Sequence, residues 1–391
     1  MQNTLLERLQ QFSHLNQGVL FERLEAMVGP LSSPAKLLVS VLGMVSLSRH
    51  VISQRGWPGR PVQDRQALAT AFLAKAIYGL ETTRQVRERL QSDRQFRCLC
   101  GWTEAHQIPH ESTFSRAFAE FAHSELPQRL HEALIRDTQQ ERLIGHIARD
   151  STAIEARERF DTLPPRKALP KRRRGRPRKN AKALSGRRLP RQRNQKLEEM
   201  LGELPCHCSL GVKKSSKGHQ QYWRGYKLHI DVADGQIPIS CLLTAASLHD
   251  SQVAIPMATL TAQRVTSLYD LMDSAYDAAE IHQHSRSLGH VPLIALGNRT
   301  VPIPHRSLQE HLRGYDQRRS LPTRQPCKRQ PFTPAEEERF HLRGMSERVN
   351  GRLKDEFGGR TLRVRGANKV MAHLMFGILA LTVDQLLRLA G

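Results

Sequence analysis

Cysteine is scarce in this chain. Six thiols, at Cys98, Cys100, Cys206, Cys208, Cys241 and Cys327, are spread over 391 residues. That is too few for a disulfide scaffold. The N-terminus, MQNTLLERLQ, is polar and lacks the apolar stretch of an export signal. Both features point to a reducing cytoplasm. Long apolar runs are also missing. The longest, LMFGILALTV from Leu374 to Val383, has ten residues and is bounded by His373 and Asp384. It is too short to span a bilayer and reads as a buried helix, so no membrane partner is expected. No internal repeat is found. Between Thr162 and Leu197 there is not one acidic residue.

What is abundant is positive charge. Sixty Lys and Arg stand against 37 Asp and Glu, a net +23, and the isoelectric point is near 10.5. Such a field attracts polyanions, above all nucleic acid. The length suits two or three domains, and 39% apolar residues suffice to bury a core. Fifteen Lys and Arg fall within Thr162–Leu197, leaving 23 − 15 = +8 for the rest of the chain. That stretch also holds five prolines and almost no large apolar side chains. It cannot bury enough surface to offset its ordering entropy, so residues 160–200 are expected to form a flexible basic insertion.

Residues 1–140 read as a helical N-terminal domain. RQALATAFLAKAIYGLETTRQVRERLQ carries apolar residues at helical spacing, broken at Gly79, and Thr82 with Gln85 makes a capping box. A second start falls at PHESTFSRAFAEF. These units suit either DNA-binding helix-turn-helix segments or a packing and dimerisation domain. From residue 141 to 391 the pattern changes. LIGHIARD is strand-like, YWRGYKLHIDVA and IPISCLLTAA flank an ADGQ turn as a hairpin, TSLYDLMD is another strand, and VPLIAL a further one. With helices between and after them, the expectation is a mixed β-sheet flanked by helices, an α+β or mixed α/β class. The Cys206-His207-Cys208 cluster lacks the spacing of a zinc site and reads as a loop.

Three acids stand out. Asp150 ends the first strand and Asp273 ends a later one, and strand-end acids of a sheet can converge in its crevice. Either acid alone can equally cap the turn that follows. The third, Glu347, lies in FHLRGMSERVNGRLKDEFGG, read as a single helix. At about 100° per residue, with Arg343 as zero, Glu347 falls at roughly 40°, Lys354 at roughly 20° and Phe340 at roughly 60°. Leu342, Met345, Val349 and Leu353 lie opposite. The bland reading is a solvated face with i, i+4 pairing. The chemical one is a carboxylate flanked by phosphate-binding cations. Three converging carboxylates repel unless cations neutralise them. An all-oxygen set selects Mg²⁺, with Mn²⁺ as substitute, and a pair of such ions about 4 Å apart suits phosphoryl transfer. Asp231, Asp234 and Asp250 compete for the second role: Asp231 lies within a strand, Asp234 in the ADG turn, and Asp250 near a helix start. Glu155 and Glu158 read as surface positions.

Phe340, Arg343, Glu347 and Lys354, at spacings of two, three and six intervening residues, resemble the Tyr-Arg-Glu-Lys signature of bacterial insertion-sequence DDE transposases. RDSTAI, SLHDSQVA and LMDSAYDA resemble that family's other blocks, in the same order. The resemblance implies a ribonuclease-H-like catalytic domain, with Asp150, Asp273 and Glu347 as the catalytic, metal-binding triad and Arg343 and Lys354 on DNA phosphates. It implies Mg²⁺-dependent cleavage and strand transfer, with terminal inverted repeats and target DNA as partners, a homodimer in the synaptic complex, and a cytoplasmic, nucleoid-associated location. Phe340 departs from the signature, keeping the ring and losing the hydroxyl.

The insertion contains Arg174-Gly175-Arg176-Pro177, which resembles an AT-hook. Such an extended Arg-Gly-Arg-Pro core enters narrow A·T-rich minor grooves, where negative potential is concentrated. The alternative is a polycation that holds any duplex by counterion release. Two other functional classes compete with transposition: a non-catalytic DNA-binding regulator, and a metal-dependent nuclease that does not join strands. A regulator leaves DNA intact in Mn²⁺, and a nuclease does not insert a pre-cleaved end.

Overall fold

The computed structural model describes residues 5–15, 19–51, 63–159, 188–214, 219–295 and 332–390. Nine helices come first: α1 (Leu5–Leu15), α2 (Phe21–Val28), α3 (Ser33–Met44), α4 (Leu47–His50), α5 (Arg65–Ile77), α6 (Thr83–Ser92), α7 (Arg94–Leu99), α8 (Glu111–His123) and α9 (Leu126–Gln139). The expected local signals set their ends. Gly79, at φ +62°, follows α5, and the Thr82–Gln85 capping box opens α6. At α8 the cap is His110, whose ring accepts from Ser112 N.

The second part contains β1 (Leu143–Glu155), α10 (Arg188–Gln192), α11 (Leu197–Gly202), β2 (Ser209–Lys214), β3 (Gln220–Ala233), β4 (Ile237–Ala245), α12 (Ser251–Ala262), β5 (Thr266–Met272), α13 (Ala279–Ser287) and β6 (Val291–Ile294). After these come α14 (Pro334–His341), α15 (Gly344–Asp355) and α16 (Ala367–Ala390). The sheet order is β2-β3-β1-β5-β6, with β4 also on β3. β1, β2, β3 and β4 pair antiparallel, whereas β5 runs parallel to β1 and β6 parallel to β5. The mixed sheet, its hairpin (β3–β4) and its flanking helices are as the alternation suggested.

The ten-residue apolar run lies inside α16, the one described helix long and apolar enough to cross a membrane. Here it is a core helix, buried along most of its length. It packs on α1, α3, α5, α8 and α9, and also on β4 and α15. Phe376 stacks on Phe72 at 6.0 Å between ring centroids, and His131 Nε2 meets Thr382 Oγ1 at 3.2 Å. The N-terminal helices and the sheet therefore share one hydrophobic core.

Three expectations need correction. The first strand does not stop at Asp150: β1 continues to Glu155, because β3 pairs with it from Ile147 to Glu155. The expectation of a flexible insertion over residues 160–200 fails for residues 188–200, which form α10 and the start of α11. Leu197 and Met200 are buried with Ile255 and Met272, Gln192 Nε2 donates to Gln252 O at 3.0 Å, and Arg188 Nη1 to Gln252 Oε1 at 2.7 Å. These tertiary contacts order α10, despite its basic composition, and α11. Finally, residues 340–354 are not one helix. The chain breaks between α14 and α15, where Met345 N and Ser346 N bond three residues back to Leu342 O and Arg343 O. Met345, Val349 and Leu353 are buried as expected, but Leu342 is exposed.

Candidate active site

β1 and β5 bring two of the predicted acids together. In their parallel register Ala148 pairs with Leu271, so two residues further Asp150 comes beside Asp273, which directly follows β5. Alternation sends neighbouring side chains of β1 to opposite faces. Asp150 points toward α15, where Asn350 Nδ2 donates to its Oδ2 at 3.4 Å. Arg149 points the other way, into a buried network under α12. Its Nε and Nη2 donate to Asp231 Oδ1 and Oδ2 at 2.8 and 2.7 Å, and Thr261 Oγ1 donates to Asp231 Oδ2 at 2.7 Å. Its Nη1 lies 3.5 Å from Met272 Sδ, next to Asp273 in sequence. One side chain thereby ties together the strand segments that carry both acids.

Burial pushes the Asp150 carboxyl up to about 6, and the charge of Asp273 adds to the shift while Ser151 and Arg343 oppose it. Asp273 is also raised, first by burial, with Asp250 contributing. One of its oxygens caps the following turn, accepting from Ala275 N at 2.9 Å. Asp250 belongs to the neighbourhood without sharing this character. Lys227 Nζ donates to its Oδ1 at 2.8 Å. Although burial works to raise it, His229 and Lys227 hold it below the usual carboxylate range. Its side chain makes no helix-capping bond. Of the other competitors, Asp231 is neutralised by Arg149, and Asp234 accepts from His146 N at 2.9 Å beside its turn. Glu158 accepts from Tyr226 Oη and Gly366 N.

Glu347 is not with the two aspartates in this arrangement. Its Oε1 is paired with Arg343 Nη2 at 2.7 Å, and its side chain is 59% exposed. Among the described residues no group of three His, Cys, Asp or Glu side chains is gathered to hold a metal ion. Arg343 itself acts electrostatically on both Asp150 and Asp273. Lys354, half-buried further along α15, is lowered by burial and by Arg360 and Lys213, which marks a cluster of cations there. Phe340 packs on Phe332, with ring centroids 5.1 Å apart. Arg174, Gly175, Arg176 and Pro177 lie outside the described residues. In the loop at 206–208, Cys206 Sγ donates to Leu243 O and Cys208 Sγ to Glu158 O.

The donors at Asp150 and Asp273 are carboxylate oxygens, the chemistry a hard divalent cation takes. Beside them Asn350 is buried and its Oδ1 accepts no hydrogen bond. Tyr276 Oη, also buried, is likewise without a partner. Burial, then Asp250, Asp150 and Asp273, push the Tyr276 hydroxyl well above its ordinary range. An orphaned oxygen next to repelling carboxylates fits a cation site. Sequence reasoning passed over Asn350, which at about 100° per residue lies roughly 20° beyond Arg343, between the charged wedge and the apolar face.

A mixed sheet carrying one acid within β1 and another directly after the adjacent strand β5 defines a domain with a two-carboxylate centre. Comparison with known families sharpens this. Residues 141–383 match the transposase DDE domain, and residues 22–120 match a transposase domain designated DUF772. The first match covers more than half of the chain, so the protein belongs to the insertion-sequence DDE transposase family. No curated protein and no solved structure matches it.

Proposed function

We propose that this transposase binds the terminal inverted repeats of an insertion sequence, cleaves there in a Mg²⁺-dependent reaction to free 3′-hydroxyls, and joins them to target DNA. Asp150, Asp273 and Glu347 are its catalytic acids. The observation that carries the reading is the β1–β5 register, which sets Asp150 beside Asp273 where burial and mutual repulsion call for a cation. The strand order, three antiparallel strands continued by two parallel ones, supports a ribonuclease-H-like domain.

Asp150 and Asp273 would hold the divalent ion, with Glu347 joining them from α15. Bound there, the metal supplies charge neutralisation at the scissile phosphate. Arg343 and Lys354, with Phe340 in place of the signature tyrosine, bind phosphates of the strand being cut. The N-terminal helices and the segment 160–187 supply further duplex contacts, and two copies pair two ends. The test is incubation of a labelled end fragment with the protein and Mg²⁺, with products mapped at single-nucleotide resolution. Cleavage at the element boundary, followed by insertion of a supplied pre-cleaved end, is the expected result. Binding without cleavage in either Mg²⁺ or Mn²⁺ overturns it.

A further inference from the structure

Asn350 projects from the second turn of α15 onto β1. Its surroundings leave its carbonyl oxygen nothing to do. Ser346, one turn earlier on the same face, spends its hydroxyl on Arg343 O at 2.9 Å. Val349 and Leu353 are apolar and buried. The amide nitrogen faces Asp150 Oδ2, as the charge of a carboxylate requires of the donor end. That fixes the orientation of the amide and leaves Oδ1 as a buried acceptor without a donor. Such groups are rare in native proteins, and each one calls for a missing partner. The 3.4 Å contact to Asp150 is long for a hydrogen bond whose only purpose is to pin a helix to a strand.

We infer that Asn350 Oδ1 is a neutral oxygen ligand of the cation site, reached directly or through one metal-bound water, and that α15 contributes through Asn350 as well as through Glu347. The inference rests on the proposed function, which places a divalent ion between Asp150 and Asp273. A neutral donor suits this position. Two carboxylates already balance a divalent charge, and a third anion as deeply buried as Asn350 adds repulsion, whereas an amide carbonyl adds a hard ligand without charge. Glu347, exposed at the rim, is then free to engage when substrate is present.

The experiment is a Mn²⁺ titration of the full-length, DNA-free protein, read by electron paramagnetic resonance of the free ion and by calorimetry. Four proteins are compared: wild type, Asn350→Ala, Asn350→Asp and Asp150→Ala, with folding of each checked by thermal unfolding. Asn350→Ala should weaken Mn²⁺ binding on the order of tenfold, as loss of a ligand or of its supporting shell does. Asn350→Asp keeps an oxygen ligand at the cost of a third negative charge, so it should retain clearly more Mn²⁺ affinity than Asn350→Ala. If Asn350→Ala binds as wild type does, or Asn350→Asp is as weak as Asn350→Ala, the oxygen is not a ligand and the inference fails. Asp150→Ala separates the two levels. Loss of binding there with Asn350→Ala unaffected overturns only the role of Asn350. Unchanged binding in Asp150→Ala overturns the site itself.

Discussion

Arg343 Nη2 and Glu347 Oε1 lie 2.7 Å apart, one turn from each other at the start of α15, with the carboxylate 59% exposed. An exposed i, i+4 pair of this kind is worth only about 0.3–0.5 kcal/mol. A DNA phosphate offers Arg343 a stronger partner, and a divalent ion offers Glu347 one. The pair is thus a cheap resting state, from which substrate can turn both side chains toward the acids on β1 and β5. Glu347→Ala should abolish Mg²⁺-dependent cleavage, leave end binding largely intact, and lower thermal stability by no more than the pair is worth. Arg343→Ala should weaken end binding instead. Gel-shift titrations beside cleavage assays separate the two effects. A Glu347→Ala protein that still cuts removes this residue from the chemistry.

Asp273→Ala is the corresponding test of the second acid. It too should bind ends and fail to cut. If it cuts normally while Asp250→Ala does not, the second role belongs to Asp250. Asp250 lies within electrostatic reach of both other aspartates but is already satisfied by Lys227.

The raised carboxyl of Asp150 gives a prediction with a definite sign. Its folded value is about 6 against about 3.9 in an unfolded chain. Between those values the native protein holds a proton that the unfolded chain has lost. Its contribution to stability is therefore full below about pH 4 and is lost as pH rises through 6. Asp150→Asn, which cannot ionise, should make the metal-free protein more stable at pH 7 by about 1–3 kcal/mol, with the gain vanishing near pH 4. Divalent-ion affinity of the wild type should change in the opposite sense, rising from pH 5 to pH 7. Chemical denaturation at the two pH values measures the first effect and Mn²⁺ titration the second. A destabilised Asp150→Asn protein at pH 7 contradicts the burial argument.

Much of this arrangement is legible in the sequence, and the reasons differ by element. The β3–β4 hairpin and the strand before Asp273 declare themselves by alternation around a turn, and α6 by its capping box, since those signals are local. The extension of β1 through Ser151, Thr152 and Ala153 is not local. These residues lie past the strand end expected at Asp150, and pairing with His229, Leu228 and Lys227 of β3 makes them strand. The same holds for α10, whose basic residues look unfoldable until Gln192 and Arg188 meet Gln252. Asn350 escaped notice because an amide carries no charge to mark it and its helical angle falls between the charged wedge and the apolar face. The pairing of Arg149 with Asp231 escaped because it depends on strand register.

That buried pair supports a further test. Arg149 is 2% exposed, Asp231 fully buried, and the two are joined by two hydrogen bonds. Removing one partner leaves an uncompensated charge, which costs about 3–5 kcal/mol. Asp231→Ala should therefore unfold at markedly lower denaturant, and so should Arg149→Met. The double variant, with both charges gone, should recover a large part of the loss. Additive losses in the double-mutant cycle would show that the charges do not interact.

The basic segment can now be tested with cleaner boundaries. Because α10 begins at Arg188 and packs on α12, a deletion meant to spare the fold must stop at residue 187. Removing residues 165–187 takes away eleven Lys and Arg, including Arg174 and Arg176. Affinity for any duplex should fall, and the slope of log affinity against log salt should become shallower, because each neutralised phosphate releases counterions. If the Arg174-Gly175-Arg176-Pro177 core reads the minor groove, the loss should be larger on A·T-rich than on G·C-rich duplex. Arg174→Lys with Arg176→Lys keeps the charge and should abolish only that difference. Equal losses on both duplexes leave the segment as a polycation without groove preference.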